Sequence, residues 1–113
     1  MEKQSITSFI KYRDRGFLKA DVYKNAGTTI FVLNLMPGQQ MPQHYHPGSQ
    51  LFFLVTQGNG IFIVNGENVE VKKGDIIHCL GTEKLGFTNT GNEPATIYVS
   101  MSKLTEEDNK ETC

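Results

Sequence analysis

Gly60-Ile-Phe-Ile-Val-Asn65-Gly66-Glu-Asn-Val-Glu-Val71 is the stretch whose reading decides the fold class. Two β-prone runs flank Asn65-Gly66, a pair that supplies the two positive-φ residues of a type I′ turn, so Gly60–Val71 reads as a tight hairpin. Working outward, short apolar segments rich in Val, Ile and Phe recur between Gly, Pro and Asn, the pattern of an all-β sandwich or barrel rather than of βαβ units. The strand candidates are Phe17–Val22, Thr28–Met36, Gln50–Thr56, Gly60–Val64, Asn68–Val71, Ile76–Leu80, Leu85–Asn89 and Ala95–Ser102. Ser5–Tyr12 reads as a strand or a short helix. Lys73-Gly74-Asp75 is a second turn signal, with Asp75 expected to bond backbone amides.

The chain of 113 residues is the size of one domain. Residues 1–27 read as an N-terminal segment packing on a barrel over 28–102. Residues 103–113 read as a polar, disordered tail. With 11 Lys+Arg against 12 Asp+Glu the formal charge is −1, which argues against nucleic acid or an anionic membrane as partner. The opening MEKQSITSF has no apolar core and the apolar runs are too short to span a bilayer, so the expectation is a cytoplasmic protein. Cys79 and Cys113 form no disulfide framework. Cys79 reads as a small buried hydrophobe and Cys113 as inert.

In Gln50–Thr56 the even positions carry Phe52 and Leu54 and the odd ones Leu51, Phe53 and Val55, so both faces are apolar. A strand of this kind is covered on both sides. A barrel buries only its inner face, which leads to the expectation of a homodimer.

Two of the three histidines lie in Gly38-Gln-Gln-Met-Pro-Gln-His44-Tyr-His46-Pro-Gly-Ser-Gln50. A pleat of period two puts His44 and His46 on one face, ~6.5–7 Å apart along a strand. Two imidazoles so placed can converge on one divalent transition metal, with Fe, Mn, Zn and Ni all candidates. The alternative is a pair of surface histidines at a strand end. Tyr45, of opposite parity, reads as a surface or interface aromatic. Asn34 interrupts an apolar strand and reads either as a cavity-lining or as an edge residue.

The same residues resemble the cupin superfamily. Its first motif is Gly, five residues, His-x-His, three or four residues, Glu, about six residues, Gly. Gly38, His44, His46, Gln50 and Gly58 follow it with one extra residue before Gly58. The second motif, Gly, five residues, Pro-x-Gly, two residues, His, three residues, Asn, is matched at Gly74 and Asn89, while Leu80 and Leu85 stand at its Pro and His. The resemblance implies a single-domain cupin-type β-barrel, a double-stranded β-helix or jelly roll. It implies a metal site of His44, His46 and Gln50, poorer by one charge and one ligand than the family's three-His, one-Glu set. His78 is a possible extra ligand, although the inward parity expected for Ile77 and Cys79 would send it to the other face. Phe52, Leu54, Phe62, Leu85, Phe87 and Tyr98 are the expected lining of an apolar mouth for a small-molecule ligand.

The functional expectation is a small cupin that binds a divalent transition metal and a small organic ligand in the barrel mouth. The alternatives are a metal-dependent enzyme of dioxygenase or isomerase type and a metal-free small-molecule-binding module. A DNA-bound regulator is disfavoured, because no helix-turn-helix segment accompanies the barrel.

Overall fold

The computed structural model describes residues 1–105. Nine strands, β1 (Leu18–Lys24), β2 (Thr28–Leu35), β3 (Gln40–His44), β4 (Ser49–Gln57), β5 (Asn59–Val64), β6 (Glu67–Lys72), β7 (Ile76–Leu80), β8 (Leu85–Thr88) and β9 (Ala95–Lys103), follow a single 3-10 turn at Ile6–Phe9. They form two antiparallel sheets, ordered β1-β2-β9-β4-β7 and β3-β8-β5-β6. No helix among the described residues is long and apolar enough to cross a membrane.

The hairpin forms as its sequence dictates. Val64 pairs with Glu67 across a two-residue loop in which Asn65 and Gly66 both have positive φ. The Asn65 side chain and amide both bond Lys84, fixing the hairpin tip to the turn before β8. Asp75 accepts the Lys72 amide through its carboxylate and closes the β6–β7 turn.

The core is the layer between the two sheets. Alternation on β4 sends Leu51, Phe53 and Val55 inward, where they meet Phe31, Leu33 and Leu35 from β2, Phe62 from β5 and Phe87 from β8. Phe62 stacks obliquely on Phe53 and on Phe87, with centroids 5.0 and 4.8 Å apart, an arrangement aromatic rings prefer.

Val32 and Asn34, of even parity on β2, are also buried, because the N-terminal segment crosses that part of the outer face of the five-stranded sheet. Asn34 is fully buried there. Its amide donates to the Phe9 carbonyl and its oxygen accepts from the Thr96 hydroxyl, which also meets Tyr12. Asn34 is therefore neither a cavity nor an edge residue: it ties the segment before the barrel to the sheet.

Three details depart from the sequence reading. Strand β3 was not anticipated, because it contains Pro42 and buries only Met41; Pro is tolerated there because β3 is an edge strand. Leu18–Lys24 is a full member of the five-stranded sheet, which widens the barrel on its N-terminal side. Strand β9 runs through Lys103, whose amide bonds Gly27, and Leu104 bonds Gly48, so the expected boundary at 102 lies slightly early. Residues 106–113 of the expected tail, with Cys113, lie outside the described residues.

Candidate ligand site in the barrel mouth

His44 ends β3 and His46 lies two residues beyond it, just ahead of the Pro47-Gly48 turn. The chain is pinned by the His46 amide on the Gly81 carbonyl, the Gly81 amide on the Ser49 carbonyl and the Ser49 amide on the His46 carbonyl. A Cβ at Gly81 would overlap the His46 carbonyl oxygen, so only glycine permits this close approach. The ring centroids of His44 and His46 lie 4.4 Å apart with planes tilted by 60°.

The His44 Nδ1 is 2.7 Å from the Pro42 carbonyl oxygen, which can only accept. We assign the proton to Nδ1, which leaves the lone pair on Nε2. Burial, then the neighbouring His44 and Lys19, pull the proton affinity of His46 below that of free imidazole. The neutral form of His46 is thereby favoured.

Both histidines border a cavity of about 80 Å³ that also includes Phe17 and Lys19 from the β1 side, Phe31 and Leu33 from β2, Met41 from β3, and Leu51 and Phe53 from β4. Lys19 lies over the Phe31 ring with Nζ 4.5 Å from the centroid. A broader polar hollow of about 410 Å³ over β5 and β6 contains no imidazole.

The remaining sequence-based site residues are dispersed. Gln50 has the parity of Phe52 and Leu54, opposite to the buried Leu51, Phe53 and Val55, and so points out of the barrel. Its Oε1 lies 3.0 Å from the His78 Nε2, and His78 stacks on Phe52 at 4.6 Å. His78 is thus on the outer face, as its parity suggested, and with Gln50 it stands apart from the His44–His46 pair. Leu54 shares that face, and Tyr98 faces a shallow groove with Ile6, Val22 and Val32. Phe62, Leu85 and Phe87 are buried in the core, with Leu85 opposite His44 in register, and none of the three borders the cavity.

This geometry corrects the placement of the first motif. Leu51, not Gln50, occupies the inward position, with four residues between it and His46, and six residues then separate Leu51 from Gly58, which removes the extra residue. The third and fourth metal positions therefore hold Leu51 and Leu85. Among the described residues no group of three or more His, Cys, Asp or Glu side chains is placed to hold a metal. Two imidazoles, two leucines and a nearby ammonium do not fit a resident divalent cation, which prefers a full shell of donors and a negative surrounding.

Cys79 faces inward on β7 and is buried; burial, then Glu83, pushes its thiol up to about 11, so it is an unreactive core residue. Lys19, Phe17 and Gly81 were missed by sequence reasoning. The available signal for Gly81 was its position just after the apolar strand Ile76–Leu80.

Residues 31–101 match the family model of the Cupin domain. The chain belongs to the cupin family. Among curated relatives, this cupin is 29% identical over 72 residues to the tetracenomycin polyketide synthase protein TcmJ of Streptomyces glaucescens, covering 64% of this chain and 48% of that one. It is 29% identical over 75 residues to an oxalate-binding protein of Thermotoga maritima, covering 66% of this chain and 62% of that one. The chain thus spans less than two thirds of either relative. Among solved structures, a protein with a double-stranded β-helix domain from Klebsiella pneumoniae superposes with a TM-score of 0.86 at 22% identity, over 91% of this chain and 90% of the other. One from Thermus thermophilus gives 0.85 at 21%, over 91% and 98%. These two likenesses show the fold.

Proposed function

We propose that this cupin is a binding module whose barrel mouth takes one small organic molecule between the His44–His46 pair and an apolar floor. The observation that carries this reading is the cavity itself, six apolar side chains with the two imidazoles and Lys19 at its rim. Sites for small molecules have this composition, a largely apolar wall with a few polar groups that fix orientation. No carboxylate lines the cavity among the described residues, so nothing in its wall offers a carboxylate general base. The reading is tested by titrating isotope-labelled protein with a panel of small organic acids, alcohols and amines. Saturable amide shifts confined to His44, His46, Phe31 and Leu51 support it; a panel that leaves those amides unmoved sinks it.

A second reading, in which a divalent transition metal binds His44 and His46 reversibly, is favoured by the 4.4 Å approach of their rings. Such a metal exchanges readily, because a pair of neutral donors supplies only part of a coordination shell. We also retain a homodimer as the proposed assembly. Phe52 is 43% and Ile76 71% exposed on neighbouring strands, beside the outer edge of β7. A partner copy on that face would remove this apolar surface from water. A concentration-independent monomer in sedimentation would eliminate the dimer and leave the mouth untouched.

A further inference from the structure

The rim of the mouth carries a sign. Of the polar side chains that border the cavity, Lys19 is a permanent cation, His44 and His46 are imidazoles, and none is an acid. Lys19 lies on edge strand β1, and the contact of its ammonium with the Phe31 ring lays the side chain along the apolar wall while the charge stays at the rim. Burial first, then His44 and last Lys19, lower the proton affinity of His46. The one ion pair of Lys19 among the described residues is with Asp21, at 3.9 Å, with both side chains about half exposed. Such a solvent-screened contact is weak, and a second carboxylate can compete with it. Below the rim the wall is hydrocarbon and aromatic, and the cavity of about 80 Å³ admits a body of only a few carbons.

We propose that the mouth is selective for a small monocarboxylate with a short apolar chain, its carboxylate held by the Lys19 ammonium and a ring N–H of His46 and its chain lying on Phe31, Leu33 and Phe53. This rests on the reading of the mouth as an organic-ligand site and adds the charge and size of what enters it. An imidazole carries a ring N–H in either protonation state, so His46 can offer the carboxylate a donor. A dianion without hydrocarbon would leave the apolar wall uncovered, and a cation would face Lys19.

The test uses wild-type protein freed of metal by a chelator that is then dialysed away, titrated with butyrate, butan-1-ol, butylamine and oxalate while mouth amide shifts are followed. Butyrate is expected to bind about tenfold or more tighter than butan-1-ol, the range of a charge-assisted contact, with butylamine and oxalate weaker than both. Lys19→Gln should reduce butyrate to the affinity that the same variant shows for butan-1-ol, and Lys19→Arg should restore the preference. Lys19 is on an exposed edge, so both variants should keep the wild-type circular-dichroism spectrum. Equal binding of butyrate and butan-1-ol by wild type, or a butyrate preference that survives Lys19→Gln, overturns the proposal while the organic-ligand reading stands. Tightest binding by oxalate or butylamine overturns it as well. Failure of every probe to shift the mouth overturns both.

Discussion

If Leu51 stands at the family's acidic-ligand position and Gln50 points away, then glutamate at the two neighbouring positions must have opposite consequences for metal binding. Leu51 is 1% exposed, so Leu51→Glu forfeits the burial of a leucine, about 2 kcal/mol. It also places a carboxyl in a poorly solvated wall, which favours the protonated form and brings the total loss to roughly 3–5 kcal/mol. A divalent metal should return much of this, because the new carboxylate joins His44 and His46 as a third donor. At free metal a hundredfold above Kd the gain is about 2.7 kcal/mol, or roughly 10 °C in Tm for a chain of this size. Gln50→Glu adds the same charge on the outer face, where it meets His78 and changes stability by less than about 1 kcal/mol. Thermal melts of wild type and both variants, with and without Zn, Ni or Mn, read the difference directly. The metal-dependent rise is expected to be larger for Leu51→Glu than for wild type or Gln50→Glu. A rise for Gln50→Glu with none for a folded Leu51→Glu would refute the assigned facing of β4. Leu85→His approaches the same site from β8 and should also gain metal-dependent stability, because Leu85 is paired with His44.

Other consequences follow from single contacts. Gly81→Ala drives a Cβ into the His46 carbonyl, so it should lower Tm and shift the His46 ring resonances even where the remaining barrel spectrum is native. Asn34→Ala leaves the Phe9 carbonyl and the Thr96 hydroxyl without their buried partner, a loss of about 2–4 kcal/mol in urea melts. That loss should come with faster proteolysis of the N-terminal segment. In an NMR titration the His46 midpoint should lie below the usual ~6.5 and move upward in Lys19→Gln, since a neighbouring cation has been removed. Because folded His46 holds its proton less tightly than the unfolded chain does, this residue makes stability fall as pH drops below about 6.5.

Much of the fold was legible because its signals are local. The Asn65-Gly66 turn needs only its own backbone, and the short Val-, Ile- and Phe-rich runs of β2, β4 and β5 are visible in the residues themselves. Strand β3 was illegible for the converse reason: its Pro42 and exposed Gln and His side chains carry no strand signature, and pairing with β8 alone makes it a strand. In the mouth, His44 and His46 were legible as a pair, but the facing of the next ligand position turns on a one-residue difference in loop length. A slip of that size exchanges the faces of a strand, and it carried Phe52, Leu54 and Gln50 to the wrong side. Lys19 could not have been found, because only the closure of β1 onto β2 brings it over Phe31.

As proposed, the mouth is an organic-ligand pocket with two imidazoles and no resident metal. Elemental analysis of wild-type protein purified without chelator and dialysed at neutral pH is the decisive check. Fe, Mn, Zn and Ni should each lie far below one equivalent per chain after dialysis. One full equivalent of any of them, lost in the His44→Ala, His46→Ala double variant, would contradict it.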